Sequence, residues 1–308
     1  MRDRLIVATL ATMAGTLLFA GKGVLAKLAY ARGVDATTLI GLRMGLALPV
    51  FAILFWRAER AAARPATWAE TVATVGLGML GYHVASWLDF LGLERIDAAV
   101  ERVVLYIYPT LVVIAAVARG RQAVGVRVVA ALALTYAGIA LTWGGQASVG
   151  RAEPIGVALV AVSAVAYAAF LVGSEGMMAR LGGQRFMALA MCGACATTVA
   201  HALAAGPTRA IDASSWAIAA ALAYACTVVP TVLTAIGMDG LGSARFAIVS
   251  GIGPVGTAVL AWAVIAERPT GVAWFGMAVT IVGGVLAGTG KRPRGRDMSR
   301  AAPSVAVE

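Results

Sequence analysis

Long uncharged apolar runs constrain this chain more than any other feature. Residues 5–20 contain no charged side chain, and several runs of similar character follow. About 20 apolar residues in a helix match the ~30 Å hydrocarbon core of a bilayer. Because 60% of the 308 residues are hydrophobic and only 13% are charged, too few polar groups remain to cover a soluble domain. The sequence therefore predicts an all-α membrane protein whose main partner is the lipid bilayer.

The apolar runs divide into ten predicted transmembrane helices. They cover residues 5–30, 36–56, 71–92, 98–118, 124–143, 154–176, 184–205, 214–237, 244–265 and 271–290. The first run resembles a signal peptide, but we interpret it as a retained helix because many further spans follow it. The loops are too short to fold as soluble domains. Residues 291–308 are predicted to form a disordered basic cytoplasmic tail.

The distribution of basic residues predicts the orientation of the spans. With the N-terminus inside, 16 Lys and Arg residues fall in inner segments and five in outer loops. This bias predicts a multi-pass protein of the bacterial inner membrane with both termini in the cytoplasm. The net charge of +10 arises from short loops and the tail, without an aromatic and basic surface, so nucleic acid is not a predicted partner.

The sequence also contains a weak internal repeat. A shift of 145 residues places Pro109 on Pro254 and Gly138 on Gly283. Each copy would hold five spans, and because five is odd, the second copy must be inserted in the opposite orientation. The predicted domains are residues 1–146 and 147–290, two inverted five-helix repeats. Transporters use this architecture to place a substrate site near the midplane.

The chain resembles the EamA-type branch of the drug/metabolite transporter superfamily. The matching residues include Arg43, the two prolines of the repeat, and the sequence Ala266-Glu267-Arg268-Pro269 before the last helix. The segment from Leu88 to Thr110 resembles a pattern of one EamA subgroup. The resemblance implies ten helices, cytoplasmic termini and transport of small metabolites, often outward. One departure is visible, because the family's glutamate between spans four and five is here Gln122.

Charged residues in spans three and four are the first candidates for a site, because intramembrane charges usually mark a pathway or an ion pair. Asp89, Glu101 and Arg102 lie at similar depth on either side of a turn near Arg95. Asp89 could form an ion pair with Arg102, which would leave Glu101 without a partner. Two interpretations remain open. In the first, Glu101 or Asp89 binds a cationic group or a proton in a polar cavity. In the second, an ion pair only stabilises the hairpin of spans three and four.

Helical spacing adds polar and aromatic candidates to the same two spans. Tyr82, Ser86 and Asp89 follow i, i+4, i+7 spacing and are predicted to share one face of span three. By the same argument Glu101 and Tyr108 share a face of span four. The two tyrosines could wall a pocket for a flat or cationic substrate.

Three basic or titratable residues in other positions have two interpretations each. Arg43 could bind a substrate carboxylate or extend to the outer surface. Lys22 lies deep in span one and could line the path or have no part in it. His83 could relay protons or be a hydrogen-bonded packing residue.

Pro109, Pro230 and Pro254 are predicted inside spans, where proline frees backbone carbonyls. They are hinge candidates for alternating access, or static kinks. The motif of Gly76, Gly78 and Gly81 matches a dinucleotide fingerprint but lies in an apolar span, so helix packing is the interpretation. Cys192 and Cys195 are likewise assigned to packing, and no metal or cofactor is predicted.

These features together predict a secondary transporter and not an enzyme. The leading prediction is export of an amino acid or related small metabolite, driven by protons or by the substrate gradient. Uptake of a vitamin or similar nutrient is the second prediction. From another class, an integral membrane enzyme for lipid-linked substrates would need clustered Asp, His or Arg in an interfacial loop, and no such cluster is present. A scaffolding protein would lack a large polar cavity.

Overall fold

The computed structural model describes residues 2–120, 125–150, 152–206, 211–234, 236–237, 249 and 252–288. In this part of the chain the regular structure is helical, apart from one antiparallel bridge between Ile96 and Ala152. The all-α membrane class is confirmed, while the count of ten spans stays a prediction. Gln122 and the tail 291–308 lie outside the described residues.

Among the described residues, six helices are long and apolar enough to cross a membrane. They are Leu5–Tyr30, Ala36–Arg60, Ala98–Ala115, Pro154–Leu181, Gly183–Ala205 and Ala213–Thr234. The chain is therefore a multi-pass membrane protein.

We number the helices in chain order. They are α1 (Arg2–Tyr30), α2 (Ala36–Arg60), α3 (Trp68–Gly78), α4 (Ala85–Leu93), α5 (Ala98–Leu105), α6 (Tyr108–Ala118), α7 (Val126–Ala147), α8 (Pro154–Leu181), α9 (Gly183–Ala205), α10 (Ala213–Ala223), α11 (Gly253–Ile265) and α12 (Gly271–Gly288).

The predicted span four is interrupted, since α5 ends at Leu105 and α6 begins at Tyr108. Pro109 lies in the first turn of α6. A proline clashes with the carbonyl four residues before it, here that of Leu105, and cannot donate a hydrogen bond to it. The predicted span 98–118 is therefore divided into two helices at Tyr106 and Ile107, although Ala98–Ala115 as a whole is long and apolar enough to cross a membrane.

Two short π-helical segments interrupt the regular helices. The first, Met79–Val84, joins α3 to α4, and the second, Tyr224–Val228, follows α10. Their first residues are 145 positions apart, which is the shift of the sequence repeat. The shift also places Tyr82 on Thr227. Both segments thus widen a helix at equivalent points, a feature that is frequent at functional sites.

Small residues allow α7 and α12 to pack at very short range. A Cβ atom added to Gly138 would lie 2.3 Å from Oγ1 of Thr280 and 2.5 Å from the carbonyl oxygen of Gly276. Because such distances are impossible for a real side chain, the glycine is required for this contact. Close approach of this kind drives helix association in membranes, where the hydrophobic effect does not act between helices.

The contact between α7 and α12 maps onto itself under the repeat. A Cβ atom on Gly283 would lie 2.5 Å from Oγ1 of Thr135 and 2.9 Å from the carbonyl oxygen of Ala131. Shifting the Gly138 contacts by 145 residues reproduces these partners. The helices run antiparallel, because partners of higher number in α12 face residues of lower number in α7. An exchange of partners of this form is characteristic of a two-fold axis.

Two glycines of the fingerprint-like motif also serve close packing, as the sequence predicts. A Cβ atom on Gly78 would lie 2.1 Å from the carbonyl oxygen of Ala190 in α9. One on Gly81 would lie 2.3 Å from the ring of Phe170 in α8. The dinucleotide interpretation is thereby excluded for this motif.

The three candidate hinge prolines occupy two kinds of position. Pro109 and Pro254 lie in the first turns of α6 and α11, where a missing backbone N–H breaks no helical hydrogen bond. Pro230 is buried in the helical turn after the second π segment. Their role as hinges stays a prediction.

Replacement of Gly138 by alanine tests the packing of α7 on α12. We expect Gly138→Ala to destabilise the protein by about 1–3 kcal/mol, because the new methyl group overlaps backbone atoms of α12. The measurement is thermal unfolding in detergent. Gly144→Ala is the matched control in the same helix, since a Cβ atom there meets nothing within 4 Å. Equal stability of the two variants would contradict the packing argument.

Candidate functional site

A cavity of about 220 Å³ lies between helices from both predicted halves of the chain. Described lining residues with ionisable or aromatic side chains are Phe19, Lys22, Arg43, Tyr82, Asp89, Arg102, Tyr106, Tyr108 and Tyr167. The lining also includes the hydroxyl groups of Thr16, Ser86, Ser163 and Thr234. The lining therefore combines charged residues, which we call the charged side, with aromatic residues, which we call the aromatic side. It is smaller than the ~300–1,000 Å³ of typical drug-sized pockets, which suits a small ligand.

Lys22 forms the centre of the charged side. Its Nζ donates a hydrogen bond to Oδ2 of Asp89 and another, of 3.1 Å, to Oε1 of Glu101. The three residues come from α1, α4 and α5 and are exposed by only 6%, 3% and 0%. Lys22 and Asp89 line the cavity, whereas Glu101 lies behind them. Of the two interpretations of Lys22, the structure favours the one in which it faces the path.

A small residue makes this arrangement possible. Gly23 follows Lys22 in α1, and a Cβ atom added to it would lie 3.1 Å from Cβ of Ala98 and 3.5 Å from Oε2 of Glu101. The short lysine-to-carboxylate distances therefore depend on close approach of α1 to α5.

The pairing of Asp89 with Arg102 that the sequence suggests does not occur. Arg102 donates from Nη2 to the carbonyl oxygen of Phe19 at 2.5 Å and from Nε to Oγ1 of Thr257 at 3.2 Å. Adjacent residues in a helix point about 100° apart, so Glu101 and Arg102 cannot both face Asp89. Lys22, from a helix that is distant in sequence, takes the position predicted for the arginine.

Arg43 is buried and does not extend to the outer surface. Its exposed fraction is 3%, and its Nε donates to Oγ1 of Thr227 at 2.7 Å. Thr227 belongs to the second π segment and itself donates to the carbonyl oxygen of Leu222. The guanidinium lies 5.4 Å from the ring centroid of Phe90, a cation–π distance, while its Nη1 has no hydrogen-bond partner. The interpretation that Arg43 snorkels is wrong.

The aromatic side is a row of tyrosine rings. Tyr82, from the first π segment, packs edge-on against Tyr167 of α8 with ring centroids 6.2 Å apart. Tyr108 packs edge-on against Tyr167 at 5.1 Å and against Tyr106 at 6.2 Å. Tyr82, Ser86 and Asp89 all line the cavity, in agreement with the predicted shared face.

The second predicted shared face is not observed. Tyr108 lines the cavity, but Glu101 does not. The break in the helix at Tyr106 and Ile107 changes the rotation between the two residues, so the helical spacing does not apply across it.

His83 lies outside the cavity lining. Its Nδ1 is 3.2 Å from Oγ1 of Thr197, and its Nε2 is 3.0 Å from Nδ1 of His201. This favours the interpretation of His83 as a hydrogen-bonded packing residue. Among the described residues, no group of three or more His, Cys, Asp or Glu side chains could hold a metal.

Sequence reasoning missed several residues of the site, all of them neutral. Thr227 and Thr257 accept hydrogen bonds from the arginines, and Tyr167 lies in the middle of the tyrosine row. The repeat contained a signal for two of them, because the shift of 145 residues maps Tyr82 onto Thr227 and Lys22 onto Tyr167. Thr257 carries no such signal.

The loop before α12 anchors the helix that carries Glu101 and Arg102. Oε2 of Glu267 accepts a hydrogen bond of 2.9 Å from the backbone N–H of Ala98, the first residue of α5. Nearby, Gln146 donates to Asp97 at 2.8 Å and accepts from the backbone of Thr270 at 2.8 Å. A carboxylate at a helix N-terminus satisfies a free donor and interacts favourably with the helix dipole.

Burial raises the pKa of Glu267 to about 7, and the charge of Asp97 adds to this rise. Lys27 and the backbone N–H groups of Ala98 and Ala99 oppose it. The folded-state pKa thus exceeds the ordinary value of 4.5. Stability from this group is therefore fully present below pH 4.5 and is lost as the pH rises through about 7.

Comparison with known proteins gives concordant results. The family model described as "EamA-like transporter family" matches the chain twice, over residues 6–144 and 154–289. A relative described as "Uncharacterized transporter YcbK", from Bacillus subtilis (strain 168), is 29% identical over 267 residues, which cover 84% of this chain and 86% of the relative. One solved crystal structure matches 91% of this chain and 96% of its own with a TM-score of 0.62 at 21% identity, which shows a shared fold.

Replacement of Glu267 by glutamine tests the titration of this anchor. We expect Glu267→Gln to flatten the pH dependence of thermal stability, with little change at pH 5 and a melting temperature higher than that of the wild type by on the order of 5 °C at pH 8. The reason is that the amide keeps an acceptor for the Ala98 N–H but cannot become charged.

The matched control is Glu94→Gln, because Glu94 also accepts a helix N–H, from Ala36 at 2.7 Å, but is exposed. Because this carboxylate is exposed, Glu94→Gln should lack the gain in melting temperature at pH 8. An unchanged profile in Glu267→Gln would show that Glu267 does not titrate in this range.

Proposed function

The chain belongs to the EamA-like transporter family, and from that premise we propose that it is a secondary transporter of amino acids or related small zwitterionic metabolites. One observation carries the proposal. Arg43 and Asp89 line the same cavity with opposite charges, and each keeps one buried polar atom, Nη1 and Oδ1, without a hydrogen-bond partner. An unpaired charged group in a buried site is costly, so this wall is completed by a ligand with complementary charges.

The cavity supports a particular orientation of the substrate. A carboxylate accepts hydrogen bonds from the guanidinium of Arg43, for which planar carboxylates are well matched. The ammonium group of the same molecule lies near Asp89. The remainder of the substrate then contacts Tyr82, Tyr108 and Tyr167, whose ring faces accept apolar or flat groups.

Alternating access is the proposed mechanism, with the inverted halves 1–146 and 147–290 rocking about the site. Its support is that the cavity lining draws on helices of both matched stretches. The self-complementary packing of α7 on α12 supports a two-fold relation between the halves. Arg43 donates a hydrogen bond to Thr227, and Arg102 donates one to Thr257. These hydrogen bonds connect the two halves that are proposed to move.

Outward transport follows the resemblance, and the drive is a proton gradient or the gradient of the substrate. The bacterial inner membrane and cytoplasmic termini follow from the distribution of basic residues. The family and the relative point to a transporter rather than an enzyme. An uptake carrier for a vitamin with a flat ring is the second candidate, which the tyrosine row favours.

Transport by reconstituted protein tests the proposal. Proteoliposomes are loaded with unlabelled amino acids, and exchange of each of the common labelled amino acids is measured. We expect exchange of at least one of them, and we expect Arg43→Gln to reduce its kcat/KM by about 10- to 100-fold, because a hydrogen bond to a charged group contributes ~1.5–3 kcal/mol.

Arg95→Gln is the control for the arginine variant. Arg95 forms an exposed ion pair with Glu153 at 3.3 Å and does not line the cavity, so its loss should leave exchange unchanged. Equal loss in both variants would remove Arg43 from the substrate site. Absence of exchange for every amino acid would refute the proposed substrate class.

The orientation predicts where fused reporters are found. A reporter placed after Lys291 should be cytoplasmic, and one inserted at Gly150, in the exposed loop between α7 and α8, should be periplasmic. Paired fusions of alkaline phosphatase and green fluorescent protein measure this. A periplasmic signal after Lys291 would contradict the predicted number of spans.

A further inference from the structure

The charges around Lys22 do not cancel within the group that shares hydrogen bonds. When ionised, Lys22 carries one positive charge and Asp89 and Glu101 carry one negative charge each, so the trio has a net charge of −1. Isolated charge of this kind is expensive away from water. The trio lies in helices α1, α4 and α5 of a membrane protein, where a charge without a partner usually has a functional role.

Neighbouring cations do not complete the trio by direct contact. Arg102 donates hydrogen bonds to Phe19 and Thr257, and Arg43 donates one to Thr227. Among its acidic neighbours, Lys27 of the same helix as Lys22 is influenced most by Glu267 and least by Glu101, and the hydroxyl of Tyr30 donates to the carbonyl oxygen of Phe90. These groups moderate the potential, but they do not donate hydrogen bonds to the carboxylates in the described structure.

Each of the two carboxylates has one oxygen atom that accepts no hydrogen bond. Oδ1 of Asp89 and Oε2 of Glu101 are buried and have no hydrogen-bond partner. Because Nζ of Lys22 contacts both carboxylates, they are direct neighbours. Two neighbouring carboxylates in a buried site favour uptake of one proton, since a protonated carboxyl group gains a donor that the other can accept.

We infer that Asp89 and Glu101 form a proton-binding site with Lys22 as an internal counter-ion, and that a proton and the ammonium group of the substrate exclude each other there. The inference rests on the proposed function for its substrate. A proton from water adds to a carboxylate oxygen, and the trio becomes neutral. A substrate ammonium at Asp89 neutralises it equally, so the proton returns to water. Substrate and protons then move in opposite directions.

Asp89 and Glu101 have different roles because they lie at different distances from the cavity. Asp89 lines the cavity and can meet the substrate, whereas Glu101 has no exposed surface and reaches only the proton. A purely structural ion-pair cluster would join the same three helices but would bind no proton in this way. A proton-binding site and a structural ion-pair cluster therefore differ in whether a carboxyl group of the trio titrates, and not only in their effect on stability.

Infrared difference spectroscopy tests the proton site without a substrate. Purified protein in detergent is titrated, and the C=O stretch of protonated carboxyl groups is recorded for the wild type and for Asp89→Asn, Glu101→Gln and Lys22→Gln. We expect both acid variants to lose the same component of the band. In Lys22→Gln this component should persist at a pH higher by at least one unit, because the counter-ion that favours ionised carboxylates is gone.

Glu267→Gln is the control in the same spectra, because its carboxyl group lies in a loop outside the trio and should contribute a separate component. If a single variant does not fold, the double variant Lys22→Gln with Glu101→Gln is titrated instead, because it removes one charge of each sign. Identical titration of the wild type and the Asp89 and Glu101 variants would overturn the inference.

A second measurement tests the coupling. Proteoliposomes containing a trapped pH-sensitive dye are exposed to a gradient of a mixture of the common amino acids. We expect the wild type to move protons against the amino acid flow. Arg95→Gln, which lies outside the cavity, should keep both proton movement and exchange. Glu101→Gln should abolish the proton movement, because the charges of Lys22 and Asp89 alone already cancel. If that variant still moves protons, Glu101 is not the coupling group.

The two measurements separate failure of the inference from failure of the proposed function. Exchange without any proton movement in the wild type overturns the coupling but leaves the transporter intact. No exchange in the wild type refutes the substrate class, and the infrared titration still decides whether the trio binds a proton.

Discussion

The ammonium group of Lys22 lies between the carboxylates of Asp89 and Glu101 and joins three helices inside an apolar body. Removing charges from water costs several kcal/mol per ion, so such a group is retained only when partners surround it. Here the partners come from parts of the chain that are 67 and 79 residues away. The positions of α1, α4 and α5, and with them the charged side of the cavity, depend on this contact.

The apolar packing around the cavity follows a different rule. Between membrane helices the hydrophobic effect contributes little, and close approach of small residues takes its place. Gly138 and Gly283 make equivalent contacts across α7 and α12, and the two π segments begin 145 residues apart, which is the shift of the sequence repeat. The packing is thus symmetric, whereas the charges are not. Phe246, which the repeat aligns with Glu101, shows that the scaffold does not require this charge in both copies.

Much of the candidate site could be predicted because intramembrane polar residues are rare and therefore informative. Arg43, Tyr82 and Asp89 were identified from the sequence, and all three line the cavity. The partners of these residues could not be predicted. The choice of Lys22 over Arg102 depends on how α1 and α5 are rotated, and the separation of Glu101 from Tyr108 depends on a break in a helix. Neither follows from helical spacing alone.

The sequence by itself determined the membrane class and the all-α character, and it predicts an orientation, because hydropathy and loop charge act locally and need no partner. It also contained a weak repeat, through glycines and prolines that match at a shift of 145 residues. Only the tertiary structure decided which charges meet, since helices that are distant in sequence must first pack. It also decided that Arg43 reaches Thr227 and that Glu267 anchors α5. Those contacts depend on rotation and depth, which composition and periodicity do not encode.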